Sequence, residues 1–309
     1  MLHAQRLGGI AAVPASGRSR LAEVARHWRE YLCIAPFFVL FAIFFAYPVA
    51  WSLVLSFQRW DGINTPRWVG WDNYQFILRD SLTRTMLANT LVLLFILVPL
   101  GLILPLVFGV LLNVSFLRLR GLFRTLIFIP VVTSTVIAGM VFRIIFGGVN
   151  GWLNGALSRF HLGPFPWLTA EGWARVPIAT LTIWGGLGFS TLIVLGGLQS
   201  IDQEIFDAAR IDGASPRQTF WQITLPLLRP VLVFLLITST IATMIMFAQP
   251  YVLTDGGPRN NTLTPLLYIY RVGFGGRIGD AAALSFLLSV LMLLITMTQF
   301  FLTRSREDA

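Results

Sequence analysis

Residues whose side chains could do acid–base, nucleophilic or metal chemistry are few and scattered in this chain. The three histidines are His3, His27 and His161, and the one cysteine is Cys33. A polytopic enzyme acting on lipid or sugar would need a group of His, Asp or Glu side chains near the headgroup plane, and the sequence offers no such group. All 23 basic residues are arginine, and the motif G-x-x-x-x-G-K-S/T is not found. The sequence therefore predicts no catalytic centre, no metal site and no nucleotide site in this chain.

One polar segment, residues 199–229, separates two apolar runs and contains well-defined helix signals. Asp202 is a good N-cap and Glu204 stands in the first turn, which predicts a helix over about residues 203–212. Gly213 follows at the position where only glycine adopts the left-handed conformation freely. The helix is therefore expected to end there in a sharp turn.

A second helix is expected directly after that turn. Ser215 is placed to cap it, Pro216 occupies the first helical position, and Gln218 stands at the capping-box position. Pro226 and Pro230 should then break or kink the chain on its way into the next apolar run. The segment is thus predicted to form two short helices that lie against a membrane.

The first of these helices carries a candidate docking surface. Ala208 and Ala209 are small enough for another protein to approach the backbone, and Ile205, Phe206 and Ile211 offer apolar area to bury. An amphipathic helix that lies on the bilayer without a partner would have the same composition. The residues alone leave both interpretations open.

The elements that must position this segment are apolar helices. The chain of 309 residues is 56% hydrophobic and 12% charged, whereas a soluble domain carries about 25% charged residues. Much of its surface must therefore face lipid. The sequence predicts an all-α polytopic membrane protein with six transmembrane helices, at about residues 34–57, 86–114, 122–146, 173–198, 230–253 and 280–303. Pro99 and Pro105 should kink the second of these spans.

Charge sets the expected orientation. Five arginines precede the first span, which favours a cytoplasmic N-terminus because positive charge is retained on that side. Six spans then place both termini and the polar segment in the cytoplasm. The predicted organisation is a tail over residues 1–30, a six-span domain over residues 31–303 and a tail over residues 304–309.

The net charge of +9 is assigned to contact with anionic lipid and not to nucleic acid, because no basic run is interleaved with aromatics on a soluble domain.

Two spans carry stripes of small residues at a spacing of four, which places each stripe on one helix face. They are Thr182, Gly186 and Ser190 in the fourth span and Ala281, Ser285 and Ser289 in the sixth. Such stripes let helix backbones approach closely, either within the subunit or at an interface with a partner. No pair of Asp, Glu or Lys is evident within the spans, which argues against a proton-coupled secondary carrier.

The run DAARIDGA, followed by ITLP and a further proline, resembles the EAA loop of binding-protein-dependent ABC importer permeases. The family pattern is Glu-Ala-Ala, three residues, Gly, and then Ile-x-Leu-Pro; in this sequence Asp replaces Glu and keeps its charge. The matching positions are Asp207, Ala208, Ala209, Gly213, Ile223, Leu225 and Pro226, and Asp212, Gly213 and Ala214 match the common DGA element. Residues 60–74, 142–154 and 249–274 are similar to the loops of the carbohydrate group, which contains the maltose and glycerol-phosphate systems.

The resemblance implies a mechanism and a set of partners. In that family the loop forms a coupling helix that sits in a cleft of a cytoplasmic ATPase. The residues that this assigns to force transmission are Asp207, Ala208, Ala209, Arg210, Asp212, Gly213 and Ala214. ATP and Mg²⁺ are then held by two separate ATPase subunits, and no cofactor is bound by this chain. A second permease chain, an extracytoplasmic solute-binding protein, a carbohydrate substrate and membrane lipid are the other expected partners. The expected location is the cytoplasmic (inner) membrane of a bacterium or archaeon.

The same resemblance implies a translocation path for a sugar. Sugars are held by aromatic faces together with polar side chains that hydrogen-bond their hydroxyls. The candidates for this path are Trp184, Ser239, Thr243, Phe247, Gln249 and Tyr251. Hydrogen bonding between helices is the alternative role for the serine and threonine. A di- or oligosaccharide is the expected substrate, with glycerol-phosphate or an amino sugar as the alternative, and the loops at 60–74 and 255–274 would dock the binding protein or anchor in lipid headgroups.

Overall fold

The computed structural model describes residues 27–114 and 120–304, and these are mostly helical. The helices are α1 Trp28–Phe41, α2 Tyr47–Leu55, α3 Asp72–Arg79, α4 Ser81–Asn113, α5 Arg120–Phe128, α6 Thr135–Ile145, α7 Trp152–Ser158, α8 Arg175–Gln199, α9 Gln203–Ile211, α10 Pro216–Thr219, α11 Leu225–Leu227, α12 Arg229–Met244, α13 Ala248–Thr254, α14 Pro265–Phe274 and α15 Ile278–Arg304. Two short strands, β1 Gln58–Arg59 and β2 Arg67–Trp68, pair antiparallel with Gln58 opposite Trp68. The predicted tail over residues 1–30 lies almost wholly outside the described residues.

Four helices are long and apolar enough to cross a membrane. They are Trp28–Leu55, Ser81–Asn113, Arg175–Gln199 and Ile278–Thr303. Two further pairs of helices are long and apolar enough to cross a membrane only when the two helices of the pair are joined, and each pair is bent. The described residues therefore provide four spans, or up to six if each bent pair is one span.

The third span, predicted over residues 122–146, is not one continuous helix. Residues 121–132 and 135–145 form two helices that meet at 101°. Pro130 lies in a short 3-10 segment, where it has no amide hydrogen to donate, and Thr133 then adopts extended backbone with ψ 130°. These two features interrupt the helical hydrogen bonds, so the chain turns sharply here.

The fifth span, predicted over residues 230–253, is not one continuous helix either, because α12 ends at Met244 and α13 begins at Ala248. A continuous helix would bring the ring of Pro250 against the carbonyl of Met246, four residues earlier. That carbonyl instead accepts a hydrogen bond of 2.7 Å from the Thr264 hydroxyl. By contrast, α4 is continuous through Pro99 and Pro105, where kinks are predicted.

The chain divides into two units between Val54 and Leu55. In the first unit, α1 and most of α2 form one apolar helix whose phenylalanine rings stack, with 5.0 Å between the ring centres of Phe41 and Phe45. In the second unit, α4 and α8 pack along each other, α12 packs against α4, and α14 packs against α15. Gly188 permits one close approach, since a Cβ there would lie 2.4 Å from the carbonyl oxygen of Ile127.

The segments predicted as loops contain ordered elements. Residues 58–85 form the β1–β2 hairpin and α3, residues 147–172 contain α7, and residues 254–279 contain the ten-residue helix α14. Periodicity does not reveal α7 or α14 because glycines and aromatic residues surround them in the sequence. These elements give the loop side of the second unit a defined surface.

Candidate functional site

Helix α9 begins where its capping signal predicts. The carboxylate of Asp202 accepts a hydrogen bond of 3.0 Å from the backbone N–H of Glu204. This bond satisfies one of the amides that have no partner inside the helix. The start of the polar segment is therefore fixed by its own sequence.

The end of α9 is a complete Schellman motif. Gly213 has a φ of +75°, in the left-handed region. The N–H of Ala214 donates to the carbonyl of Ala209 at 2.9 Å, and the N–H of Gly213 donates to the carbonyl of Arg210 at 3.1 Å. Both bonds occupy carbonyls that the helix leaves open, which makes the turn rigid.

The chain restarts in a capping box. The Ser215 N–H donates to the side-chain oxygen of Gln218 at 2.9 Å, and the Gln218 N–H lies 3.4 Å from the Ser215 hydroxyl. Pro216 occupies the first turn, as predicted. The helical run continues to Leu227 and meets α12 at an angle of 62° beside Leu228, which is fully buried.

The two alanines of the candidate docking surface have different environments. Ala209 is buried, whereas Ala208 is exposed. Ile211 is 87% exposed, so α9 ends in an apolar side chain that the described residues leave uncovered. The Asp207 and Arg210 side chains pair at 3.1 Å, but both are exposed and such a pair contributes little stability. The structure thus gives the predicted site one outward face, formed by Asp207, Ala208 and Ile211.

A groove beside α9 is not predicted by the sequence. It has a volume of about 570 Å³ and lies between the end of α4, α9 and the run that starts at Pro216. Phe206, Arg210 and Ala214 form one wall, and Phe220 lies on another. The sequence could not indicate it because Asn113 and Val114, which close it, are far away along the chain.

A second cavity, of about 270 Å³, lies among the middle parts of α4, α8 and α12. Its walls are apolar apart from hydroxyl groups. These belong to Thr182, Ser190, Thr238, Ser239 and Thr243. The hydroxyls of Thr182, Thr238 and Thr243 donate to carbonyls of their own helices at 2.7–2.8 Å. Their oxygens retain lone pairs, so these groups can accept hydrogen bonds from a bound solute.

The stripe of Thr182, Gly186 and Ser190 lines this cavity. A Cβ placed on Gly186 would have no neighbour within 4 Å among the described residues, apart from its own helix. The stripe therefore does not mediate the close helix contact within the subunit that its spacing favours. The second stripe behaves differently, because Ala281 is buried and lies near Gly273 of α14.

The structure separates the six predicted path residues into three places. Ser239 and Thr243 line the cavity. Trp184 does not; its ring lies 5.6 Å from that of Phe142 and packs against buried core residues. Phe247 and Tyr251 stack on each other at 5.1 Å beyond the end of α12, and Gln249 is half-buried on α13. The break after Met244 explains the separation, because residues 239–249 do not share one helix face.

Two buried polar contacts hold the loop side together. The amide of Asn89 donates to the carbonyls of Asn260 at 2.7 Å and Leu263 at 3.1 Å, and Arg175 donates to its oxygen at 3.0 Å. The hydroxyl of Tyr268 donates to the carboxylate of Asp80, which also caps α4. Burial and this hydrogen bond raise the pKa of Tyr268 above its ordinary value.

A polar cleft of about 730 Å³ lies between the β1–β2 hairpin and the start of α15. Trp60, Asp61 and Asn64 line one side, and Arg277 and Asp280 line the other. Backbone hydrogen bonds from Asn64 and Ile63 lower the pKa of Asp61 to about 2. The Trp60 indole N–H donates to the Asn64 carbonyl at 2.7 Å, so this loop has a defined conformation.

Among the described residues, no group of three or more His, Cys, Asp or Glu side chains could hold a metal ion. His27 precedes α1, His161 lies in a turn after α7, and His3 lies outside the described residues.

Comparison with known proteins identifies the class. Residues 101–306 match the family described as the inner membrane component of binding-protein-dependent transport systems. The chain is 35% identical to the lactose transport system permease protein of Rhizobium radiobacter over 283 residues, covering 90% of this chain and 94% of the relative. It is 34% identical to the arabinooligosaccharides transport system permease protein of Bacillus subtilis over 310 residues, covering 97% of each. The trehalose/maltose transport system permease protein of Thermococcus litoralis is 35% identical over 283 residues, covering 90% of this chain and 94% of the relative.

Solved structures agree on the fold. A bacterial ABC transporter involved in the import of the acidic polysaccharide alginate contains a chain that matches with a TM-score of 0.82 and 24% identity, covering 93% of this chain and 99% of that one. The chain belongs to the family of inner membrane components of binding-protein-dependent transport systems. It is a permease subunit of an ABC importer, a transport subunit and not an enzyme, and the prediction made from the DAARIDGA run is confirmed.

Proposed function

We propose that this permease imports a neutral sugar, with a di- or oligosaccharide as its substrate. The observation that carries the proposal is the cavity among α4, α8 and α12, whose apolar walls hold five hydroxyl groups. Such a lining suits sugar hydroxyls and the apolar faces of sugar rings. The sugars in the names of the related permeases, lactose, arabinooligosaccharides and trehalose or maltose, support the same substrate class.

The cavity lining also bears on the alternatives. Among the described residues no charged side chain lines it. A glycerol-phosphate would need a cation or a helix N-terminus near its phosphate, and a protonated amino sugar would need a carboxylate. The lining therefore favours an uncharged carbohydrate over both.

The proposed arrangement in the membrane has six spans, with each bent helix pair counted as one. Both termini and residues 199–229 lie in the cytoplasm, residues 31–303 form the permease domain, and residues 1–30 and 304–309 are tails. The membrane is the inner membrane of a bacterium or archaeon, and the chain crosses it several times. A single cysteine introduced at Ala208, in a Cys33→Ser background, should react with a membrane-impermeant reagent only from the cytoplasmic side.

The outward face of α9 is proposed to couple ATP hydrolysis by the partner subunits to transport. Residues Asp207, Ala208, Ala209, Arg210, Asp212, Gly213 and Ala214 transmit force to and from one of two ATPase subunits, which bind ATP and Mg²⁺. The capped ends of α9 support this role, since a force-transmitting helix must move as one body. A second permease chain completes the pathway.

A solute-binding protein is proposed to deliver the sugar on the opposite side. The polar cleft beside Trp60 supports docking there, because it combines a defined loop conformation with arginine and aspartate side chains. One alginate transporter structure was determined in complex with a pentasaccharide-bound periplasmic protein, and its fold matches this chain with a TM-score of 0.81 at 24% identity.

Reconstitution tests the proposal. The complete importer in proteoliposomes should take up at least one of radiolabelled lactose, trehalose, maltose or arabinotriose when ATP is supplied to the ATPase side. The matched control contains the same subunits without ATP and should show no uptake above leakage. Uptake by this chain alone, driven by an ion gradient, would show that it is a secondary carrier and overturn the proposal.

A further inference from the structure

Four aromatic side chains form a continuous row of rings beyond the end of α12. The row, here called the aromatic ladder, consists of Phe247, Tyr251, Tyr270 and Phe274. The ring centres lie 5.1 Å apart for Phe247 and Tyr251, 5.7 Å for Tyr251 and Tyr270, and 4.6 Å for Tyr270 and Phe274. Phe247 also contacts Tyr270 at 5.2 Å. Each ring therefore touches the next from one end of the row to the other.

Exposure is greatest at the Phe274 end of the ladder. Phe247 is half-buried, Tyr251 is 42% exposed, Tyr270 is 36% exposed and Phe274 is 83% exposed. A row of rings that served only as core would be covered throughout, as the buried clusters of the second unit are. The ladder instead leads from the protein interior to its surface.

The ladder starts close in sequence to the proposed sugar path. Phe247 follows Thr243, a residue of the cavity lining, by four positions along the chain. The bond from the Thr264 hydroxyl to the Met246 carbonyl fixes the segment between α12 and α13 to the start of α14. Tyr268, two positions before Tyr270, is anchored to Asp80 on the other face of α14. Both halves of the ladder are thus held in place by contacts outside it.

Polar groups accompany the rings. Arg271 and Asp255 form an ion pair at 3.0 Å, and the Asp255 side chain is 68% exposed. The neighbouring Tyr251, burial and, more weakly, Asp255 raise the pKa of Tyr270. Flat aromatic faces bordered by hydroxyl, guanidinium and carboxylate groups match the two kinds of surface on a sugar, its C–H faces and its hydroxyls.

We propose that the aromatic ladder is a second carbohydrate site, at the outer mouth of the path, which stacks successive rings of an oligosaccharide. This inference rests on the proposed function, because it assumes that the chain moves sugar. Since the ladder offers several rings in sequence, a longer oligosaccharide contacts more of it than a disaccharide does. The ladder should therefore favour longer substrates without taking part in ATP coupling.

The experiment measures sugar binding to the complete importer in nanodiscs, without the binding protein, by saturation-transfer NMR. The probes are two matched pairs, maltose with maltopentaose and arabinobiose with arabinopentaose. The test variant is Phe274→Ala, at the most exposed ring, and the second variant is Tyr251→Ala. The matched control is Phe160→Ala, because Phe160 is 74% exposed but belongs neither to the ladder nor to the cavity.

The expected result is that at least one pentasaccharide binds more tightly than its disaccharide. Phe274→Ala should raise the pentasaccharide Kd by roughly three- to tenfold, the effect expected of one lost stacking contact, and leave the disaccharide Kd unchanged. Phe160→Ala should change neither Kd.

Two results would overturn the inference. If Phe274→Ala and Tyr251→Ala leave every Kd unchanged, or if neither pentasaccharide binds more tightly than its disaccharide, the ladder is not a sugar site. If either variant loses the second permease during purification, the ladder is a subunit interface instead. A separate measurement of ATP-driven sugar uptake by the unaltered importer tests the proposed function itself. If only the ladder assignment is wrong, this uptake persists; if the proposed function is wrong, it is absent.

Discussion

The backbone N–H of Ala214 lies 2.9 Å from the carbonyl oxygen of Ala209, across a glycine in the left-handed conformation. This bond closes α9 and directs the chain into the capping box at Ser215. The turn between the two short helices is therefore closed by backbone hydrogen bonds, and the side-chain hydrogen bonds of the capping box begin the second helix.

Replacing Gly213 with valine should uncouple transport from ATP hydrolysis. A β-branched residue in the left-handed region costs at least about 1–2 kcal/mol, so the turn should open or shift. ATP-driven uptake by the reconstituted importer should fall by about tenfold or more, while membrane insertion, measured by membrane fractionation, should be normal.

Gly213→Asn is the control for this substitution. Asparagine tolerates the left-handed conformation better than other residues that carry a Cβ, and a Cβ at this position has no neighbour within 4 Å among the described residues. Uptake in Gly213→Asn should thus stay near the wild-type rate. Equal losses in both variants would point to added bulk in the ATPase contact and not to the turn.

Filling the cavity should abolish uptake without harming assembly. Gly186→Leu adds a side chain beside Thr182 and Ser190, in space that is open in the structure. Its neighbour Gly185 is equally open but does not line the cavity, so Gly185→Leu is the matched control. Uptake at saturating sugar should drop to background in Gly186→Leu alone, and size-exclusion chromatography should show the complex intact in both. Normal uptake in Gly186→Leu would remove the cavity from the proposed path.

Tyr268→Phe should destabilise the loop side. The substitution removes the hydroxyl that donates to Asp80, and a hydrogen bond to a charged group contributes about 1.5–3 kcal/mol. The apparent Tm in detergent should fall, whereas Tyr47→Phe, at an exposed tyrosine, should leave it unchanged.

The raised pKa of Tyr268 determines how the Tm difference between wild type and Tyr268→Phe depends on pH. A folded-state pKa above the unfolded value means that the stabilisation is fully present below the unfolded value of about 10. This stabilisation is lost as the pH rises from the unfolded-state pKa through the folded-state pKa. The Tm difference between wild type and Tyr268→Phe should therefore be constant from pH 7 to about pH 9. A difference that shrinks within this range would contradict the assignment.

Asn89→Ala should loosen residues 254–264. Its amide donates to two backbone carbonyls in that segment, and leaving a buried group without a partner costs about 1–3 kcal/mol. Limited proteolysis should cut the segment faster, and the apparent Tm should fall. Thr85→Ala on the same helix removes only a bond to the helix's own backbone, so its digestion pattern should match that of the wild type.

Local signals allowed the polar segment to be predicted from sequence. The N-cap at Asp202, the glycine turn and the capping box at Ser215 each depend on residues within five positions of one another, so the pattern specifies the geometry. The apolar runs likewise located the long helices to within a few residues at most ends. The family itself could be inferred because the DAARIDGA run is both local and specific.

Features that depend on distant residues could not be predicted. The bend at Pro130 and the break before Pro250 occur inside apolar runs, where hydropathy alone indicates a continuous helix. The cavity needs three helices to be placed, and Trp184, which the sequence assigns to the path, packs against Phe142 outside the cavity lining. Tyr270 of the proposed aromatic ladder lies in a segment that the sequence predicts as loop, although its spacing of four from Phe274 is typical of one helix face.

The 62° bend beside Leu228 has a mechanical consequence. Leu228 is fully buried among Val194, Leu198 and Leu235, so it can serve as a fulcrum that holds its position while the two arms turn. Thr243 lies 15 residues further along, a lever arm of roughly 22 Å at the helical rise of about 1.5 Å per residue. A tilt of about 10° would then carry the Thr243 end of α12 sideways by about 4 Å, comparable to the width of the cavity's own lining side chains. A small rotation of the arm that precedes Leu228 is thus amplified at the far end of the helix.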